Sequence, residues 1–460
     1  MLTTALAQQA EIAPPLAVGS SPQPADILAK LGFDESVARL IEDGTPLNDN
    51  DAEPLIRLLF LLPRIDVMQR FGWRQDPSAT DLDTLTADVV ANRLKMRTLF
   101  GRVRALRKIT LGPEISQRFG FAAYYRLELD TSPTRDAGTD SQGTIQLCVR
   151  QLPARWQTLD VPEAGLPISA DGFFFKLASQ PNEEPRWVFV ADQIGWHPQA
   201  ADAQRNVTTG AARLGSAGMN VALFDDLIQG QPLVQEDREA FYQMLWTVRR
   251  MPAVNSSEEP PHQLQSQFAG LITRPKEIPG QQLRVTGTAR RAVLVRVPDP
   301  DIQARYGINH YYEVEVLVPL DHLLVLHDPQ DGRELTYAST FPVTLCLAEL
   351  PRDMPQGDEV RQAITTDAYF LKLRSYRSEF VDQQFADPVA TKRRQLSPLL
   401  IGRTLSLVHP PAPQTTALGW LLGIVIFGGF AGILLLRAWY RRGDRPFDEW
   451  RRKQRNAQEF

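Results

Sequence analysis

Two short segments place an aromatic ring next to a cation at matching positions. Asp171–Leu177 reads DGFFFKL and Asp367–Leu373 reads DAYFLKL. In a strand, alternate side chains share a face, so Phe174 and Lys176 are expected together, as are Phe370 and Lys372. A ring face beside an ammonium group can stack a sugar, a base or a peptide group, which makes these four residues the expected ligand-binding set. The competing expectation packs both rings under neighbouring helices, with the lysine stems draped over the edge.

No other residues converge on a reaction. His197, His262, His310, His322, His327 and His409 are scattered, and none belongs to an HExxH pattern. His322 and His327 suit one loop near Asp321 and Asp328 but lack a convergent third zinc ligand. Gly215-Ser216-Ala217-Gly218 has the wrong spacing for a nucleophile elbow. There is no phosphate-binding Gly-Lys loop and no dinucleotide fingerprint. The acidic pairs Asp225-Asp226 and Glu258-Glu259 read as a helix start and a loop, and one sequence cannot place carboxylates across a cleft. The expectation is a chain with no catalytic residue, no cofactor and no metal.

The elements that must position these residues occur twice. Pro46–Arg64 aligns without a gap on Pro232–Arg250, and Arg118-Phe119-Gly120 is echoed by Arg305-Tyr306-Gly307. Tyr124-Tyr125 recurs as Tyr311-Tyr312, and Leu147-Cys148 with Leu152-Pro153 as Leu345-Cys346 with Leu350-Pro351. Matches in constant order at offsets of 186 to 198 residues mark an internal duplication. Each copy begins helical, over Asp26–Ile41 and Asp51–Leu62 in the first and Asn220–Ile228 and Glu236–Arg249 in the second. The shared Gly-x-Pro-Leu-x-x-x-Asp signature, Gly44–Asp51 and Gly230–Asp237, reads as a loop and helix start.

Each copy then turns β-rich. The second suggests strands at Leu283–Val297, Tyr311–Val318, Phe341–Leu350, Ile364–Tyr376 and Leu399–Val408. The first offers Val103–Leu111, Tyr124–Leu129, Thr144–Leu152, Gly172–Ser179 and Trp187–Ile194. The expected fold class is α+β: a tandem duplication of a helical segment plus a small antiparallel β-barrel (OB-like), followed by one C-terminal transmembrane helix. A sandwich of similar strand count is the alternative. The domain reading is an N-terminal segment at 1–23, copies at 24–198 and 220–408, a linker at 199–219, a stalk at 409–416, a span at 417–436 and a tail at 437–460.

Ala417–Leu436 has no charge and no proline, and about 20 helical residues span about 30 Å. Trp420, Trp439 and Tyr440 suit the two interfaces. The tail from Arg437 carries eight Arg/Lys against four Asp/Glu, which places it in the cytoplasm and the bulk outside. No complete export signal precedes that bulk, although Ala5-Leu6-Ala7 resembles a cleavage site. Gly419 with Gly423 and Gly428 with Gly432 form GxxxG pairs suited to a homodimer.

The formal charge of −4 leaves an acidic bulk once the basic tail is set apart, so no nucleic acid is expected as a partner. The two cysteines, Cys148 and Cys346, exclude a disulfide scaffold and read as small buried hydrophobes. The alternative is a bridge between the copies. The chain resembles membrane-anchored proteins of planctomycete-type bacteria with tandem OB-like repeats, through motifs like Leu147-Cys148 and Gly172–Leu177. That resemblance covers both β-rich halves and implies an envelope location, with no activity and no functional residues. The expected function is a single-pass envelope protein whose paired units bind or scaffold a protein or glycan partner without catalysis. The alternative is an enzyme with an unrecognised site between the units.

Overall fold

The computed structural model describes residues 22–74, 85, 88–130, 144–156, 165–179, 185–252, 261–327, 334–377, 394–408, 417–443, 450–452 and 455. The N-terminal segment to residue 21, the stalk at 409–416, Glu258-Glu259 and Asp328 lie outside the described residues. The chain divides into two compact units, Met1–Leu407 and Val408–Phe460.

In the first copy the helices Pro24–Lys30, Ala52–Leu61 and Val67–Arg74 precede the strands. Ala52–Leu61 forms because Leu55, Leu58 and Leu59 recur at helical spacing, and all three are buried. The strands are β1 (Met96–Thr110), β2 (Ala123–Asp130), β3 (Thr144–Val149), β4 (Leu166–Ala178), β5 (Arg186–Ala191) and β6 (Gly195–Trp196). Their order is β1-β2-β3-β5-β4-β6, and an added β1–β4 pairing closes the first five into a ring. β1 serves both neighbours, pairing with β4 through Met96–Val103 and with β2 through Arg102–Thr110, with a register shift between Val103 and Ala105. Gly101 admits a close approach there, since a Cβ would lie 2.8 Å from the Asp130 carbonyl oxygen.

The second copy repeats the plan. After the helices Thr209–Ser216 and Arg238–Arg250 comes β7 (His262–Gln263), then the helix Leu264–Thr273, then β8 (Gln282–Arg296), β9 (His310–Pro319), β10 (Leu324–His327), β11 (Glu334–Tyr337), β12 (Thr340–Leu347), β13 (Gln362–Arg377), β14 (Arg394–Gly402) and β15 (Ser406–Leu407), with β7 paired beside the N-terminal end of β8. The sheet order is β15-β13-β14-β12-β9-β8-β7, closed by β13–β8, with β10–β11 a separate hairpin. Gly287 takes the place of Gly101; a Cβ there would lie 2.5 Å from the Leu317 carbonyl oxygen.

These findings correct the expected fold class. Among the described residues the sheets have six and seven strands rather than about five, and they are mixed rather than antiparallel. β3 pairs parallel to β5, and β12 pairs parallel to β14. The reason is topological: a ring with an odd number of strands cannot alternate direction all the way round, so one pair must run parallel. The segment read as a small-residue linker also contains a helix, Thr209–Ser216, whose N-terminus is capped by Thr208.

The membrane expectation is corrected too. Ala417–Leu436 lies within the helix Ala417–Gly443. Among the described residues, however, no helix is long and apolar enough to cross a membrane. The single-pass anchor therefore loses its support, and so does the cell-membrane location with an outer front and a cytoplasmic tail. The GxxxG homodimer goes with it.

Three apolar clusters organise the first unit. One runs continuously from Leu127, Leu147, Phe174 and Phe189 of the first barrel to Phe241 and Leu245 of the Arg238–Arg250 helix, and on to Tyr369 and Leu371. The seam between the copies is thus a shared core, which fixes the walls of any site along it. The second cluster fills the second barrel around Val314, Leu345 and Phe370. The third packs the N-terminal helices onto Phe173, Phe175 and Val190.

Candidate functional site

The four residues expected to bind a ligand are not on a surface. Phe174, Lys176, Phe370 and Lys372 are each 0% exposed. Strict alternation fails because a β-bulge interrupts β4 between Phe174 and Lys176, and the same bulge interrupts β13 between Phe370 and Lys372. The extra residue moves each lysine off the barrel-interior face that holds the ring and onto the helix-covered face. There Lys176 Nζ donates to Asp51 Oδ2 at 2.8 Å and to Thr45 Oγ1 at 3.1 Å. Lys372 Nζ donates to Asp237 Oδ2 at 2.5 Å and to the Pro232 carbonyl at 3.2 Å.

These pairs explain the repeated Gly-x-Pro-Leu-x-x-x-Asp signature. Its aspartate is the buried counter-ion, and its glycine N–H closes the loop onto the same strand, Gly44 to the Leu177 carbonyl at 2.8 Å and Gly230 to the Leu373 carbonyl at 2.7 Å. A lysine with no water around it needs such a partner, so the motif holds helix to barrel and keeps both lysines away from any surface ligand.

A cleft of about 990 Å³ lies along the seam, between the first barrel and the helical part of the second copy. Its apolar surface comes from Phe71, Phe100, Trp246 and Tyr306, with Phe100 45% exposed. Its charges are mostly paired. Arg70 faces Asp192 at 3.5 Å, Arg74 Nε donates to Asp171 Oδ1 at 3.1 Å, and Arg305 pairs with Glu239, which also accepts from the Tyr306 hydroxyl. Arg102 instead donates to Gln199 Oε1 at 2.7 Å and to the Gly165 carbonyl at 2.8 Å. Burial holds the Asp192 carboxyl above its usual range against the opposing pull of Arg70.

One corner of the cleft holds groups that sequence patterns miss. β4 pairs with β6 so that Ser169 lies opposite Gly195. Ser169 Oγ is 2.8 Å from His197 Nε2, and His197 Nδ1 is 2.9 Å from the Met219 carbonyl oxygen. A carbonyl only accepts, so Nδ1 carries the hydrogen, and in the neutral ring Nε2 accepts from the serine hydroxyl. Burial lowers the His197 pKa and favours this neutral form, while the bond to Met219 opposes the shift. Asn220 Oδ1 accepts from the backbone N–H groups of Trp196 at 2.8 Å and Ala222 at 3.1 Å. No short motif signals this group, because Ser169 and His197 are 28 residues apart and meet only through the β4–β6 pairing.

Both cysteines are free and buried, so the bridge between copies does not form. Burial pushes the Cys148 thiol up to about 12 and the Cys346 thiol higher still, which makes both poor nucleophiles. Among the described residues no group of three or more His, Cys, Asp or Glu is placed to hold a metal ion.

No family model and no curated protein matches the chain. Among solved structures, it is similar to a small single-stranded DNA-binding protein from Streptomyces coelicolor at 8% identity and a TM-score of 0.16, over 28% of this chain and 93% of that one. It is also similar to the wild-type single-stranded DNA-binding protein from Thermus aquaticus at 10% identity and a TM-score of 0.15, over 69% of this chain and 95% of that one. Both proteins are named for binding single-stranded DNA, against the expectation of no nucleic-acid partner, but a likeness this weak carries no argument for one.

Proposed function

We propose that the chain is a binding protein whose ligand is a glycan held in the seam cleft between the two copies. The observation that supports this most is the pairing of the partly exposed Phe100 and Trp246 with amide and carboxylate groups around a cleft of about 990 Å³. Ring faces stack on the apolar faces of sugars, while Gln199, Gln243 and Asp171 can exchange hydrogen bonds with hydroxyl groups. A polyanion fits less well, because the arginines at Arg70, Arg74 and Arg305 are already matched by acids. The second barrel then supplies scaffold, through its helix Arg238–Arg250, whose Phe241 and Leu245 share one apolar cluster with the first barrel.

Calorimetric titration of the full chain with short oligosaccharides, alongside peptide and single-stranded DNA controls, tests this reading. Saccharide binding that weakens about 10- to 100-fold in Trp246→Ala or Phe100→Ala supports it. Binding of the peptide or DNA controls with no saccharide response overturns it.

A further inference from the structure

We propose that the same cleft carries out acyl transfer, with Ser169 as nucleophile and His197 as its base, on an ester of a hydroxyl-bearing ligand. This rests on the reading of the cleft as the ligand site. Three requirements for such chemistry meet at one point. The nucleophile and base are within hydrogen-bond reach at 2.8 Å, and the base is oriented by the Met219 carbonyl at 2.9 Å. A donor stands beside them: the Asn220 amide is held through Oδ1 by two backbone N–H groups, and among the described residues its Nδ2 donates to no partner.

Gly195 is what brings these groups together. A Cβ built at Gly195 would lie 2.6 Å from Ser169 Oγ, 3.2 Å from His197 Nε2 and 3.5 Å from Asn220 Cγ. The three side chains therefore border the small volume that the glycine leaves empty. In the second copy the corresponding β13–β15 pairing sets Thr365 opposite Ser406, and two residues on from Ser406 stands Val408, where the first copy has His197 two residues on from Gly195. The scaffold is duplicated and the dyad is not.

The step balances with water as second reactant. Ser169 Oγ adds to the ester carbonyl carbon while its proton passes to His197 Nε2, and the carbonyl π electrons form an oxyanion beside the Asn220 amide. Collapse restores the carbonyl and breaks the C–O bond to the alcohol, which leaves with the proton from His197. Water, deprotonated by His197, then attacks the acyl-serine. The carboxylic acid departs, and the returning proton restores the Ser169 hydroxyl.

The test treats the full chain with a fluorophosphonate and locates the adduct by peptide mass spectrometry, with p-nitrophenyl acetate hydrolysis as a second readout. The expected result is labelling at Ser169, slowed about 100-fold or more by His197→Gln and by Asn220→Asp. Saccharide binding without Ser169 labelling overturns the acyl-transfer proposal and leaves the cleft reading intact. Ser169 labelling without saccharide binding overturns the cleft reading instead. Because the first readout uses the native chain, a variant that fails to fold does not rescue the proposal.

Discussion

The two copies keep the same buried ion pair and part company beside it. Lys176–Asp51 and Lys372–Asp237 occupy matching bulges, with all four side chains at most 1% exposed. A few residues upstream on the same strands, the first copy sets Ser169 against Gly195 next to His197, whereas the second sets Thr365 against Ser406. A duplicated fold thus retains what anchors helix to barrel and is free to vary at the edge. The lesson is that recurrence identifies structural necessity here, while the candidate chemistry lies where the copies differ.

The comparison breaks most sharply if the first copy is given the second copy's residues. Gly195→Ser, which puts a Cβ 2.6 Å from Ser169 Oγ, is expected to slow fluorophosphonate labelling about 100-fold or more, as is His197→Val. The measurement is the labelling rate of full-length protein.

Next in size are the shared ion pairs. Removing one partner of a buried pair costs about 3–5 kcal/mol, so Asp51→Ala and Asp237→Ala should both destabilise strongly in denaturant unfolding. The effect should be larger for Asp237, because its carboxylate also accepts from the N–H groups of Ile228 and Val234 at 3.0 Å each. In contrast, among the described residues Asp51 accepts only from Asn48 N, at 3.1 Å, besides Lys176, and its Oδ1 has no partner. Equal losses would mean that those extra bonds contribute nothing.

A smaller contrast concerns the matching pairs Arg305–Glu239 and Arg118–Glu53. Arg305 is 9% exposed and bonds Glu239 and Tyr306, whereas Arg118 is 60% exposed at 3.7 Å from its acid. Arg305→Ala should cost about 1.5–3 kcal/mol and Arg118→Ala less than about 1 kcal/mol by thermal or chemical unfolding.

The smallest expected effect is a pH dependence. The folded-state pKa of His197 is lowered, first by burial, so the unfolded chain binds more protons as the imidazole titrates. Stability from this group is complete above the unfolded imidazole value, about 6.5, and falls as pH drops through the folded value. The difference in unfolding midpoint between the native chain and His197→Gln should be constant above that range and shrink as the pH falls below it.

The sequence makes the duplication plain, since matching Leu, Asp and Gly positions serve the same contacts in both copies. Gly44–Asp51 and Gly230–Asp237 are readable as loop and helix start, but their ion pairs with Lys176 and Lys372 are not. The obstacle is the bulge: one extra residue in β4 and in β13 turns each lysine away from the face that alternation assigns it. The parallel closure follows from ring parity, which appears only once β1 is known to pair at both edges. Ser169 and His197 leave no local pattern, because their meeting depends on a short two-residue strand at Gly195-Trp196. The one signal available is subtractive, a histidine and a glycine in the first copy where the second has Val408 and Ser406.

The most direct test of the seam as the ligand site is hydrogen–deuterium exchange of the full chain with and without a bound oligosaccharide. Protection is expected at 167–171, 193–199 and 239–246, which border the cleft. Protection confined to the second copy's corresponding edge, 362–366 and 404–407, would contradict it and move the site to the other barrel.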